Sequence, residues 1–183
     1  MNFFHNHWLA LGRSALLALG VSWPAAAQWK DWDYELDQEK KPWEELQTQL
    51  PAYPKPENLL KFDAGSTNIN NYFVDAASLS VGEDKVVRYT LVVKSGGGAT
   101  NVSFEGIRCD KAQLRVYALV HPNSAWSRAR DASWREIVPR EINGHHYVLL
   151  RDFMCTRARN REPISVRNIA AALKRGERNL PGY

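Results

Sequence analysis

Between Val86 and Lys94 the residues alternate: Val87, Tyr89, Leu91 and Val93 fall on one side of an extended backbone, while Arg88, Thr90 and Lys94 fall on the other. Val86 and Val92 add apolar surface to the polar side. A period of two is the signature of a half-buried strand. The runs GEDK at 82–85 and SGGGA at 95–99 flank this strand as hairpin connections. In the next run, Val102 and Phe104 set one phase and Ile107 and Cys109 continue on the other. Gly106 lies at the change, so a β-bulge is expected at that glycine. LRVYALV at 114–120 predicts another long strand, and YVLLRDFM at 147–154 a further one, with a short helix as the competing reading.

The pattern switches to a helical period near the end of the chain. Val166, Ile169, Ala170 and Leu173 recur at i, i+3, i+4 and i+7, Ser165 is placed to cap the start, Lys174 and Arg175 complement the negative end, and Gly176 stops the run. A second, shorter helix is predicted in PWEELQTQL at 42–50. Pro42 suits its first position, Glu44 and Glu45 its positive end, and Trp43, Leu46 and Leu50 its apolar face. Strands first and a strong helix last give an α+β fold, a mainly antiparallel β-sheet with the C-terminal helix packed on it.

Residues 1–27 stand apart from this plan. They hold no Asp or Glu, carry Arg13 before the apolar run SALLALGVSW, and end in Pro24 and Ala25–Ala27. The run is too short to span a bilayer, and the alanines suit a signal peptidase, so 1–27 reads as a signal peptide cut before Gln28. Residues 28–58 then read as an extended acidic, aromatic lead-in, and 59–183 as a single α+β domain; a chain of this length buries enough surface for one core. The expected location is the periplasm or another exported compartment. No further stretch has the length of a transmembrane span.

Export changes the reading of the two cysteines. In an oxidising compartment a pair in one small domain becomes a disulfide, here Cys109 with Cys155, whereas in the cytosol catalysis or metal binding would come first. A cysteine nucleophile needs a base, and nothing in the spacing of His121, His145 and His146 brings one to Cys109. There is no C-x-x-C pair, and the short paired spacings of structural zinc sites are missing, so no metal or other cofactor is assigned.

Four stretches, YFVDAASLSVGEDKVVRYTLVVKS at 72–95, NVSFEGIRC at 101–109, WSRARDASW at 126–134 and FMC at 153–155, resemble the pattern of the CNP1-like family of uncharacterised exported bacterial proteins. The likeness covers most of the chain after residue 27, and departs from the family at GEDK, where a D-G type turn is usual. The resemblance implies no catalytic residue, and it implies that both cysteines belong to the shared pattern.

Charge is divided unevenly along the chain. From 28 to 85, 12 acidic residues face 6 basic ones; from 86 onward, 17 basic residues face 8 acidic. Arg157, Arg159 and Arg161, together with Trp126 and Trp134 and their neighbouring arginines, form the candidate binding surface, suited to an envelope protein or an anionic envelope component. The simpler reading is that the acidic lead-in folds back over the basic half, or that the arginines are a solvated face. Nucleic acid is not expected, since no recognised binding motif accompanies the charge. Two functions follow: a non-catalytic binding or structural module of the envelope, and, as the alternative, a periplasmic hydrolase whose polar site would assemble from His121, Asp75 or Glu105. A histidine and a carboxylate meeting in a deep pocket would favour the second.

Overall fold

A computed structural model describes residues 42–65, 69–120, 125–139 and 144–176. Residues 1–27, expected to be a signal peptide, the first part of the lead-in and His121 lie outside the described residues. The fold is α+β, as the hydrophobic pattern predicts. Strands β1 (Leu59–Phe62), β2 (Asn71–Val81), β3 (Val86–Lys94), β4 (Thr100–Arg108), β5 (Gln113–Val120) and β6 (Trp126–Arg128) follow one another across an antiparallel meander, and β7 (Arg135–Glu136) pairs with the start of β5.

The alternating face of β3 forms the floor of the core. Val87, Tyr89 and Leu91 join Tyr72, Val74, Ile107 and Leu114 in one cluster with Leu149, Leu150, Phe153, Ile169 and Leu173 from the helical layer. That layer contains α1 (Gly144–Val148), which continues as a π-helical segment, Leu149–Met154, and α2 (Val166–Arg175). So 147–154 is helical and not a strand. The paired spacing explains it: Leu149 and Leu150 are followed four residues on by Phe153 and Met154, which puts all four against the sheet, whereas a strand would send alternate members to opposite faces. Helix α2 ends as its sequence dictates. Ser165 caps Asn168, and Gly176 closes the last turn in the left-handed conformation at φ 64°.

The opposite face of the sheet is also buried. Val86, Val92, Val102, Phe104 and Ala118 are inaccessible, and so are Arg88 and Thr90. Part of this cover comes from the segment where a short helix is expected, which is extended instead. Leu46 N–H donates to the Asp84 carboxylate at 2.9 Å, and its carbonyl accepts from Arg88 at 3.2 Å. The backbone groups a helix would use internally are thus satisfied by the Arg88–Asp84 ion pair, and Leu46 is left 46% exposed. We call residues 43–51 the strap.

The expected bulge lies one strand away from Gly106. Strand β4 runs in unbroken register with β3, so Val102 and Ile107 differ in face simply by parity. It is β5 that carries the extra residue: Phe104 pairs with Ala118 and Glu105 with Val116, leaving Tyr117 between them. Its ring crosses the backbone at Gly106, where an added Cβ would meet Tyr117 Cε2 at 2.9 Å and its hydroxyl closer still. Glycine is therefore required by close approach of a ring.

At the GEDK turn, Lys85 adopts φ 62°, a conformation that glycine takes at little cost. The disulfide Cys109–Cys155, with a Cα–Cα distance of 5.6 Å and both residues buried, ties the end of β4 to the end of the π-helical segment.

Candidate functional site

Two polar centres lie on opposite faces of the sheet. Under the helices, Tyr89 and Glu105 face each other across β3 and β4. The Glu105 carboxylate accepts the Tyr89 hydroxyl at 2.9 Å and the Ser103 hydroxyl at 2.6 Å, and it meets His146 Nε2 at 2.9 Å. Burial pushes its pKa up, but the electrostatic pull and hydrogen bond of His146, with the bonds from Ser103 and Tyr89, outweigh burial and hold it down to about 2. The Tyr89 phenol is pushed well up by burial and by the same carboxylate.

His145, next along α1, stacks on Tyr72 at 4.6 Å between ring centres and lies 4.0 Å from the His146 ring. Burial, reinforced by His146, lowers its pKa to about 4, and its Nδ1 is buried with no hydrogen-bond partner. Both histidines are buried at the start of a helix. A histidine and a carboxylate therefore do converge, but with Glu105 3% and His146 7% exposed the pair is sealed beneath the helices.

The second centre lies under the strap. Glu45 points down onto the sheet and is met from three sides: Arg115 Nη1 and the Trp134 indole N–H, at 3.1 Å, donate to Oε2, and the Tyr117 hydroxyl donates to Oε1 at 2.7 Å. Arg88 Nη2 approaches Oε1 at 3.8 Å while remaining paired with Asp84. The Tyr117 bulge is what raises its hydroxyl to this position. Trp43 anchors the strap's start, donating its indole N–H to the Asp84 carbonyl at 2.9 Å and packing edge-on against Trp134, with the Arg108 guanidinium 3.6 Å above its ring. Trp126 anchors the far end by donating to the Pro51 carbonyl at 2.9 Å, its ring edge-on to Phe104.

Beside the strap opens a cleft of about 430 Å³ lined by Glu45, Leu46, Gln47, Thr48, Arg115, Tyr117 and Arg128. A smaller one, about 160 Å³, lies between Trp43, the Asp84–Lys85 turn, Asp110 and Arg161–Pro163.

The residues singled out from sequence separate accordingly. Trp126 and Trp134 hold the strap. Arg157 closes on Asp152, a fully buried carboxylate that Arg151 also clasps, and Arg159 is exposed on the loop beyond. Arg161 borders the smaller cleft, which Trp43 also lines. Asp75 is engaged locally, accepting from Ala77 N–H and, through its carbonyl, from the Ser78 hydroxyl within the β2 irregularity. Arg128 is one of the arginines that neighbour Trp126 in the candidate surface, and it does border the larger cleft; Glu45 and Arg115 escaped the sequence reading as site residues. The available signal was the acidic lead-in set against basic strands.

Among the described residues no cluster of three or more His, Cys, Asp or Glu side chains is arranged to hold a metal, and no described helix is long and apolar enough to cross a membrane. Neither the curated proteins nor the solved structures give a significant match. The model of the CNP1-like family matches residues 38–174, a span that takes in the strap, the whole meander, the disulfide and most of α2, and the chain therefore belongs to the CNP1-like family.

Proposed function

We propose that the protein is an exported, non-catalytic binding module of the cell envelope, and that it meets its partner on the strap side of the sheet. The observation that carries this reading is the contrast between the two polar centres. His146 and Glu105 are sealed beneath the helices, with the carboxylate already accepting from Tyr89 and Ser103, whereas the strap side presents an open polar cleft bordered by Arg115 and Arg128. A hydrolase would need that inner pair to reach solvent. Export is supported by the apolar run and Ala25–Ala27 at the start of the chain, and by a buried disulfide of the kind that persists in oxidising compartments. An envelope protein or an anionic envelope component is the expected partner class.

The test is photocrosslinking in intact cells, with a photoreactive residue in place of Gln47 on the strap side or of Arg167 on the exposed side of α2. Light-dependent adducts at 47 with none at 167 support the assignment. Adducts at neither position, or at 167 alone, overturn it.

A further inference from the structure

We propose that the cleft beside the strap binds the acidic group of a small polar ligand, a carboxylate or phosphate on a sugar-like body, between the guanidinium groups of Arg115 and Arg128. The proposal rests on the binding-module reading and adds the chemistry of the ligand.

Local charge is its first support. Glu45 is the one acid lining the cleft, and its two oxygens already accept from Arg115, Tyr117 and Trp134. Arg88 is balanced by Asp84, so Glu45 and Arg115 cancel as a pair. Arg128 then contributes a positive charge that no described carboxylate offsets. It is exposed, and β6 places it at the cleft because it pairs with Ala118, the residue next to the Tyr117 bulge. The cleft thus carries a net single positive charge in a concave setting that strengthens its attraction for an anion.

Donor capacity is the second. Glu45 engages only the Nη1 of Arg115, whose side chain remains 31% exposed; its Nε is buried without a partner. The Nη2 end of the guanidinium is left to donate to a second acid. Glu45 itself demonstrates that the site accommodates a carboxylate: a phenol and an indole N–H already converge on one beside this arginine. Gln47 and Thr48 also line the cleft and supply amide and hydroxyl groups, suited to the neutral body of a sugar acid. A volume of about 430 Å³ falls within the range of small-molecule sites.

Isothermal titration of the exported protein with D-glucuronate, inorganic phosphate and D-glucose tests the proposal. Binding of glucuronate, phosphate or both, with none of glucose, is expected. Preference for glucuronate identifies a sugar acid, and preference for phosphate a phosphorylated ligand. R128Q should weaken the anion by about tenfold, equivalent to about 1.4 kcal/mol, without shifting the melting temperature, while R167Q leaves binding unchanged. Failure of both anions to bind, or binding that R128Q does not alter, overturns the proposal. Adducts formed at residue 47 in cells under those circumstances would retain the binding surface and reject only its ligand chemistry.

Discussion

Removing the Glu45 carboxylate is the most direct perturbation of the strap. In Glu45→Ala, Arg115, Tyr117 and Trp134 lose a common acceptor whose side chain is only 15% exposed. Hydrogen bonds to a charged group contribute about 1.5–3 kcal/mol each, but Arg115 is partly wet and recovers part of this from water. Opening a fully buried pair costs about 3–5 kcal/mol, so for this half-enclosed cluster a loss of about 3 kcal/mol is expected. In a domain of this size that lowers the melting temperature by roughly 6–12 °C. Glu45→Gln keeps one oxygen acceptor and should lose about half as much. Urea unfolding followed by tryptophan emission is the assay, because Trp43 and Trp134 report on the strap itself. If the strap detaches first, emission changes before the sheet unfolds, and new cleavage appears between residues 43 and 51 in limited proteolysis. A cycle with Tyr117→Phe isolates the bond to Tyr117 and should give a coupling of about 1 kcal/mol. A Glu45→Ala variant within about 0.5 kcal/mol of wild type, with unaltered cleavage, would refute Glu45 as the anchor.

Three further perturbations address the rest of the molecule. The folded state lowers the His145 pKa to about 4 from 6.5, so the unfolded chain binds the extra proton between these values; stability is complete above pH 6.5 and falls by about 3 kcal/mol as the pH drops to about 4. Glu105, held at about 2 instead of 4.5, adds a separate loss only below pH 4.5. His145→Phe keeps the stack on Tyr72 and removes the orphaned Nδ1, so denaturant titrations at pH 6.5 and 4.5 should show a flatter profile; an unchanged slope rejects the assignment. Gly106→Ala drives a methyl into the Tyr117 ring and should cost about 1–3 kcal/mol, a penalty that shrinks when Tyr117 is also Ala. Cys109→Ser with Cys155→Ser opens a 46-residue separation and should cost up to about 4 kcal/mol by thermal melting, and unreduced wild-type protein should take up no alkylating agent.

Local chemistry made much of the fold legible. Helix α2 is written in its own caps, and β3 in its alternation, because both depend on neighbours within a few residues. What could not be read locally was decided by distant partners. PWEELQTQL has the periodicity and terminal residues of a helix, but Asp84 and Arg88, some forty residues away, take the Leu46 backbone groups and hold the segment extended. The Gly106 bulge was inferred from a phase change that two buried faces produce unaided: Val102 and Phe104 pack outward beneath the strap side, while Ile107 packs inward against the helices. The clue was already present in Val86 and Val92, apolar residues on the supposedly solvated side of β3. The π-helical segment was legible only in part, since its apolar pairs at 149–150 and 153–154 fit a helix better than a strand.

The charge division also resolves differently from its appearance in the sequence. The described end of the lead-in, residues 43–58, lies against the basic half, but on the arginines of the sheet: Glu45 reaches Arg88 and Arg115, and Trp43 lies under Arg108. The loop bearing Arg157, Arg159 and Arg161 is held by its own acids, Asp152 at one end and Glu162 with Lys85 at the other. These two sets of contacts should respond differently to salt. Lys85 and Glu162 are 68% and 60% exposed, and at an ionic strength of about 1 M the screening length falls to roughly 3 Å, so their attraction is largely removed. The Glu45 side chain is only 15% exposed and accepts from indole and phenol donors whose hydrogen bonds salt does not screen, so the strap should remain docked. Emission from Trp43 and Trp134 should therefore be unchanged between low and high salt. Anion binding between Arg115 and exposed Arg128 should weaken over the same range, because screening removes the long-range part of the attraction in an open cleft. If high salt released the strap, as judged by emission and cleavage at 43–51, long-range charge rather than the buried carboxylate would be what holds it.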